Sequence, residues 1–333
     1  MAMKCQCRAF PALFFLTSGR GFSRKHQRQS DFLREKLYMT DETMAVSGRM
    51  RFDKKTIAIM LMIGSVAAFT TIDTLTKTLT ARHDPSVLIF VQNVAAALVI
   101  LPLALRKGAS GFRIQSPRLL LLRGVLGALV SFLIYTSLKL LPFTVATSLL
   151  QLETFFIIPL AMIFLKERPD WRRFLAVGLG ISGALFILQP GGGTFQMAGL
   201  IAIAAALALA AKDIVLKFLA MNEQIVPALF WMYVVTAIIM AGPAITHWSS
   251  VSLADWGFII VAAILMNGCN FGMLKAYSMA DAVVLAPVIH SALPMAVMVG
   301  VVVFGEWPSP LVWVGIVLIA MATFMPSGKR TEG

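Results

Sequence analysis

The chain has 333 residues, of which 58% are hydrophobic and only 14% are charged. Soluble domains carry about 25% charged residues, so this composition excludes a mostly soluble protein. The formal net charge of +13 would suit a nucleic-acid-binding protein, but 12 of the 29 Lys and Arg residues lie in residues 1–55 and most others lie between apolar runs. We therefore expect an integral membrane protein that has the lipid bilayer, and no nucleic acid, as its partner.

Residues 1–55 form a basic segment that differs in composition from the rest of the chain. Its apolar piece, AFPALFFL, is short, contains a proline and precedes a basic run, which disfavours a cleaved signal peptide. Two interpretations stay open. The segment is either a disordered cytoplasmic tail that lies on anionic headgroups, or an untranslated extension with translation beginning at Met39, Met44 or Met50.

Ten apolar stretches follow, each long enough or nearly long enough to cross a hydrocarbon layer of about 30 Å. They cover approximately residues 56–79, 86–105, 119–140, 144–165, 172–188, 197–217, 226–246, 255–276, 282–304 and 310–326. The connecting loops are short and leave no room for a soluble catalytic domain. We predict an all-α integral membrane protein with ten transmembrane helices.

The charges between the apolar stretches predict their orientation. If the N-terminus is cytoplasmic, 12 of the 14 Lys and Arg residues in loops, at span ends and at the C-terminus lie on the cytoplasmic side. Only Arg82 and Lys139 then lie outside. Because cytoplasmic loops carry an excess of basic residues, we predict that both termini are cytoplasmic.

The second half of the chain repeats the first. The segment FTTIDTLTKTLT aligns with LAAKDIVLKFLA, which places Asp73 on Asp213 and Lys77 on Lys217 at an offset of 140. A second landmark, LKERPDW aligned with FGEWPSP, has an offset of 139. Since each copy contains five spans, the second copy must enter the membrane from the opposite side. This inverted repeat is a common build of secondary transporters.

The repeat divides the chain into four parts. A tail covers residues 1–55, the two five-helix repeats cover 56–193 and 194–327, and a short cytoplasmic C-terminus covers 328–333. The loop LKERPDW is basic, whereas FGEWPSP contains no Lys or Arg, as loops on opposite sides of a membrane should differ.

Each repeat carries an Asp-x-x-x-Lys pair inside a span. Residues i and i+4 share a helix face, so Asp73 can neutralise Lys77 and Asp213 can neutralise Lys217. Three interpretations stay open. The pairs fix the helix ends and register, they gate the two faces by re-forming as access alternates, or they contact substrate directly.

The doubled turn pattern resembles a known family. The segment FLKERPDWRRFLAVGLGISGALFI and its partner VFGEWPSPLVWVGIVLIA resemble the EamA-type proteins of the drug/metabolite transporter superfamily, over roughly residues 56–326. The segments LRGVLG and LKAYSMADAVVLAP and the Asp-x-x-x-Lys pairs look most similar to the branch that contains S-adenosylmethionine uptake transporters. Riboflavin importers belong to the same broad family. Glu153 departs from the resemblance, because a neutral residue is expected there in that branch.

The resemblance implies a multi-pass carrier of the bacterial inner membrane that moves a small metabolite by secondary-active, alternating-access transport. S-adenosylmethionine or another cofactor or nucleoside-type solute is the expected substrate. Riboflavin import, amino-acid or drug export, and a non-transporting scaffold or receptor are the alternatives. We expect no enzyme, metal or cofactor, because H-E-x-x-H, Asp-rich diphosphate and P-loop motifs are missing from the sequence. The transport direction, the coupling ion and the choice between monomer and homodimer stay open.

Ionisable residues inside spans are candidate functional residues. Glu153 would suit a cationic or amphoteric ligand and a proton-coupling role, and His290 could relay protons or donate a hydrogen bond. The alternative is that each bonds to a neighbouring helix as a structural contact. The remaining substrate-binding candidates are polar or aromatic residues: Gln92, Asn93, Tyr135, Asn267, Asn270, Trp231 and Tyr233.

Other features of the spans are interpreted as structural. Arg123 is expected to reach the cytoplasmic interface as an anchor for the third span. The small residues of GLGISGA in the fifth span predict close helix packing. Pro159, Pro287 and Pro294 predict kinks that turn backbone polar groups toward a cavity.

Overall fold

The computed structural model describes residues 54–165, 171–189, 198–220, 224–280, 285, 288–289 and 291–323, apart from the side chains of Leu165, Lys217, Ala220, Tyr277 and Ser278. The predicted N-terminal tail, the predicted C-terminal segment and His290 lie outside these residues. Within them, the regular structure is helical.

Eleven helices follow one another in the described part of the chain. They are α1 (Lys54–Thr80), α2 (Pro85–Arg106), α3 (Pro117–Leu140), α4 (Phe143–Leu150), α5 (Glu153–Leu165), α6 (Trp171–Leu188), α7 (Ala198–Ala220), α8 (Ile225–Thr246), α9 (Leu253–Met279), α10 (Ala292–Phe304) and α11 (Pro310–Thr323). Eight segments there are long and apolar enough to cross a membrane, with α4 and α5 counted as one, and α10 and α11 are shorter apolar helices. The predicted all-α fold with ten spans is confirmed.

The helix ends follow local sequence rules. Asp84 caps α2, because its carboxylate accepts a hydrogen bond of 2.9 Å from the backbone N–H of Ser86. The last turn of α3 is followed by Leu141 in extended conformation, as expected directly before Pro142. Gly305 ends α10 with a φ of 65°, a left-handed conformation that glycine adopts without steric cost.

The fourth span is broken into α4 and α5 by a turn at Gln151 and Leu152. The sequence had predicted one continuous helix with a kink at Pro159, but Pro159 lies inside α5. The break instead places Glu153 in the first turn of α5. A carboxylate is stabilised there by the positive end of the helix dipole, which favours a helix start at this point.

The second repeat has a turn at the equivalent position. The offset of 139 places Ser291, the residue directly before α10, on Leu152. Both residues donate their backbone N–H to the carbonyl oxygen three residues earlier, at 3.1 Å in each case. Pro294 lies in the first turn of α10, where a proline removes no helix hydrogen bond and causes no kink, and Pro287 lies outside the described residues. Discontinuous helices at matching positions are typical of transporters.

The helix pairs respect the repeat. Helix α1 packs against α9, and its repeat counterpart α7 packs against α3, which is the counterpart of α9. The counterparts α2 and α8 pack against each other, and so do α6 and α11. Exchange of the two repeats therefore leaves these pairings unchanged, as expected for two inverted five-helix repeats.

Helices α6 and α11 approach each other closely at two glycines. A Cβ atom on Gly183 would lie 2.8 Å from the carbonyl oxygen of Gly315, and one on Gly315 would lie 2.5 Å from that of Gly183. Small residues allow this backbone contact between membrane helices. The close packing that GLGISGA predicts is confirmed.

Candidate functional site

Lys77, in the last turn of α1, contacts several other helices at one end of the helix bundle. Its Nζ donates a hydrogen bond of 2.6 Å to the carbonyl oxygen of Leu141 and lies 3.3 Å from Oε1 of Glu306. The carbonyl oxygen of Leu138 lies 3.4 Å away. The ammonium group thus sits at the negative, C-terminal end of α3 and is paired with a carboxylate.

Glu306 extends this contact to a further helix. Its Oε2 accepts hydrogen bonds from the backbone N–H groups of Phe143 at 2.5 Å and Thr144 at 3.4 Å, at the start of α4. A carboxylate at a helix N-terminus satisfies donors that the helix itself leaves free. We name Lys77, Glu306, Leu141 and Phe143 the Lys77–Glu306 clasp. It ties together α1, α3, α4 and α10, and thus both repeats.

The clasp corrects the predicted pairing of Asp73 with Lys77. Lys77 extends toward the end of the bundle, where Glu306 and the α3 carbonyl groups offer partners. Asp73 lies one turn deeper and interacts electrostatically with Tyr135 and Cys269. The corresponding pairing of Asp213 with Lys217 stays a prediction, because the side chain of Lys217 lies outside the described residues.

A second group of ionisable residues lies inside the bundle, between α3, α5 and α7. The carboxyl group of Glu153 lies close to that of Asp213 and interacts electrostatically with Asp213 and Lys212. Arg123, from α3, interacts electrostatically with Asp213 and with Tyr233. Two carboxyl groups can share a hydrogen bond only when one of them carries a proton.

Arg123 is buried, with 6% of its surface exposed. Its Nε donates a hydrogen bond of 3.3 Å to the Sδ atom of Met232, and its Nη1 has no hydrogen-bond partner among the described residues. The side chain therefore lies inside the protein and does not reach the membrane interface. The predicted anchor role is wrong, because the acid on α7 gives the guanidinium a counter-charge within the bundle.

A third polar group surrounds Asp73. The hydroxyl of Tyr135 donates to Oε1 of Gln92, and both side chains are buried. Thr76 and Asp73 also interact with Tyr135. The Nε2 atom of Gln92 is buried and has no hydrogen-bond partner within the described part of the chain. Two of the predicted substrate-binding candidates, Gln92 and Tyr135, thus lie together in the interior.

The three candidate asparagines use their amide groups within and between helices. Asn93 and Asn270 each donate to the carbonyl oxygen one turn earlier on their own helix, at 2.8 and 2.6 Å. Asn267 donates across the helix interface to Ala96 on α2, at 3.1 Å. Asn93, Asn267 and Asn270 thus each use their amide N–H group in a contact within the protein.

Trp231 lies at the start of α8. Its Nε1 donates a hydrogen bond of 3.1 Å to the carbonyl oxygen of Phe112, in the connection between α2 and α3. Its ring meets that of Phe230 edge-on, at 5.5 Å between centroids. Trp231 therefore fixes the α2–α3 connection to α8. The remaining candidate, His290, lies outside the described residues.

Sequence reasoning assigned no functional role to Glu306 or Arg123. Glu306 was visible as the acid of FGEWPSP, but its partner Lys77 lies in the other repeat and far away in sequence. Arg123 carried the signal that identified Glu153, an ionisable side chain inside a span. Its position near a span end made the interface the more obvious destination.

Inverted repeats, discontinuous helices and buried ionisable side chains together define a membrane transporter. The chain belongs to the EamA-like transporter family, which matches residues 56–189 and 196–327. The protein is thus a multi-pass membrane transporter of small molecules.

Relatives of known name agree with this class. Over 255 residues the chain is 28% identical to an S-adenosylmethionine uptake transporter of Rickettsia bellii, covering 75% of this chain and 86% of the relative. Over 273 residues it is 30% identical to a riboflavin transporter of Brucella anthropi, covering 79% and 95%. A solved crystal structure with 18% identity and a TM-score of 0.57, covering 80% of this chain and 94% of its own, has the same fold.

Proposed function

We propose that the protein carries a charged small metabolite, S-adenosylmethionine or a similar solute, across the bacterial inner membrane by alternating access. The observation that carries this proposal is the neighbouring acids Glu153 and Asp213 beside the buried Arg123. Each ionisable residue inside a membrane costs at least roughly 2.5–3.5 kcal/mol. A fold retains such a group of charges when a charged ligand or a proton uses it.

Glu153 and Asp213 form the proton-coupling and cation-binding part of this site. When a cationic group of the substrate approaches, the carboxyl group of Glu153 is favoured in its charged form, and its proton leaves. Substrate and proton therefore compete for the same pair. This competition is the elementary event of proton-coupled exchange, since the site returns to its first state only after it takes up a proton again.

The Lys77–Glu306 clasp supplies the closure that alternating access needs. It joins helices of both repeats at one end of the bundle through an ion pair and backbone hydrogen bonds. Opening this end requires that α1 and α10 separate. If both termini are cytoplasmic, as the loop charges predict, the clasp closes the external side. We also propose that the first repeat ends at residue 193 and that the second repeat begins at residue 194.

Riboflavin import is the second candidate function. The Brucella anthropi relative bears that name, and the buried Tyr135 and Tyr233 offer aromatic faces to a planar ring. The ionisable group around Asp213 favours a charged solute instead, because the riboflavin ring carries no charge that would offset these residues.

Counterflow in proteoliposomes tests the proposal. Vesicles that contain purified protein are loaded with unlabelled S-adenosylmethionine and diluted into labelled S-adenosylmethionine, with unlabelled riboflavin loading as the comparison. We expect saturable accumulation of label only with S-adenosylmethionine inside. Accumulation of labelled riboflavin alone would favour the second candidate, and no flux of either solute would favour a scaffold or receptor.

A further inference from the structure

Arg123 has hydrogen-bonding capacity that the protein does not use. A guanidinium group presents five N–H donors, and the bond from its Nε goes to a thioether sulfur, which is a weak acceptor. Its Nη1 is buried without a partner among the described residues. A buried cation is costly unless it is paired and hydrogen-bonded, so this arginine lacks an acceptor of the kind it favours.

The nearest acids do not supply that acceptor. Arg123 makes no ion pair within 4.0 Å of a described residue, although it interacts electrostatically with Asp213. Asp213 lies beside Glu153 instead. Among the described residues, Arg123 therefore lies near an acid with which it forms no ion pair.

Helix packing does not require the arginine. Beside Arg123, α3 packs against α8 through small side chains. The hydroxyl of Thr236 donates a hydrogen bond of 3.3 Å to the carbonyl oxygen of Gly124. A Cβ on Gly124 would lie 2.4 Å from the side chain of Val235, so the two helices already touch there. An apolar residue at position 123 would therefore serve this helix contact equally well.

We propose that Arg123 binds a carboxylate of the transported solute while Glu153 and Asp213 bind its neighbouring ammonium group, so that the substrate is an α-amino-acid-type zwitterion. The inference rests on the proposed function and narrows its substrate class. The planar guanidinium matches a carboxylate with two parallel hydrogen bonds, which a lysine cannot reproduce. S-adenosylmethionine carries such an amino-acid group, and riboflavin does not.

The test measures discrimination between a solute with and without its carboxylate. Uptake of labelled S-adenosylmethionine into proteoliposomes is competed by unlabelled S-adenosylmethionine or by its decarboxylated analogue. In the wild type we expect the carboxylated competitor to be at least about tenfold more potent, since an unpaired buried charge penalises the analogue. In Arg123→Gln the two competitors should become nearly equal, and Arg123→Lys should give an intermediate ratio.

Arg118→Gln is the matched control, because Arg118 is exposed on the same helix, and it should keep the wild-type ratio. The ratio is measured within each variant, so a lower amount of inserted protein does not alter it. If Arg123→Gln fails to insert, the ratio of Arg123→Lys decides. Equal potency of the two competitors in the wild type, or an unchanged ratio in the Arg123 variants, would overturn the inference alone. Absence of S-adenosylmethionine flux in the wild type would overturn the proposed function itself.

Discussion

Asp73 and Asp213 occupy equivalent positions in the two repeats but lie in different chemical surroundings. Asp73 interacts with Tyr135 and other polar groups that carry no charge, whereas Asp213 interacts with Glu153 and Arg123. The repeat has kept the positions of the helices and has not kept the partners of the two acids. In the proposed transport cycle, the symmetric helices are the part that moves, and the side chains around Asp213 are the part that binds substrate and proton.

The largest expected effect tests this asymmetry directly. Asp213→Asn should lower S-adenosylmethionine uptake about 10- to 100-fold, because it removes a carboxylate that the proposal assigns to the substrate, and a hydrogen bond to a charged group is worth about 1.5–3 kcal/mol. Asp73→Asn, the matched change in the other repeat, should have a much smaller effect. Initial uptake rates per inserted protein measure both. Equal losses in the two variants would show that the two repeats share the chemistry.

Glu153→Gln should remove the pH dependence of uptake between about pH 5 and pH 8, the range in which a perturbed acid or a histidine titrates. Glutamine cannot release a proton. The residual rate should be flat across this range while the protein stays inserted and folded. Wild-type pH dependence in this variant would leave the proton-coupling role without support.

The Lys77–Glu306 clasp predicts a third, smaller effect. Lys77→Gln and Glu306→Gln should each lower the free energy of unfolding in detergent by about 1–3 kcal/mol, since each leaves a partly buried charge without its partner. The swapped double variant Lys77→Glu/Glu306→Lys should recover part of that loss. Thermal unfolding of the purified variants measures it.

Arg82→Gln is the control for the clasp, because Arg82 also forms an ion pair, 3.1 Å from Asp255, but is 60% exposed. Exposed pairs contribute about 0–1 kcal/mol. If Arg82→Gln lowers the free energy of unfolding as much as Lys77→Gln does, the clasp stabilises the protein no more than an exposed ion pair.

The smallest effect concerns the loop before α2. Burial opposes ionisation of the Asp84 carboxyl group, but hydrogen bonds from Ser86 and the electrostatic effect of the nearby His247 and Lys139 hold its pKa below the ordinary value. Asp84→Ala should cost about 0.5–2 kcal/mol at neutral pH, the usual loss of a helix cap.

The pH dependence of that loss has a fixed sign. Because the pKa of Asp84 is depressed in the folded protein, its stabilisation is present at neutral pH and is lost as pH falls below about 4. The melting temperatures of wild type and Asp84→Ala should therefore converge in acid. A difference in melting temperature that stays constant at all pH values would show that the loss of stability comes from the alanine and not from the missing charge.

The scaffold was predictable from sequence because its signals are local. Apolar run lengths give the spans, loop charges give an orientation, and the offset that relates Asp73 to Asp213 gives the repeat. The small residues around Gly183 likewise predict a close helix contact, because the size of the side chains decides how near two helix backbones can come.

The partners inside the bundle were not predictable in the same way. The i,i+4 rule favoured Asp73 for Lys77, but the partner is Glu306, which only the tertiary fold brings near. Arg123 lies at a depth from which a long side chain can reach either lipid headgroups or the interior, and the acid on α7 decides between them. Glu153 was identified as a candidate, whereas its position beside Asp213 depends on the helix break before it.

The most direct test of the acid pair is proton release on substrate binding. S-adenosylmethionine is added to purified protein in weakly buffered detergent solution while the pH is recorded. If substrate displaces the proton of Glu153, the wild type acidifies the solution in proportion to bound substrate, and Glu153→Gln does not. Saturable binding without acidification in the wild type, or equal acidification in Glu153→Gln, would contradict the account.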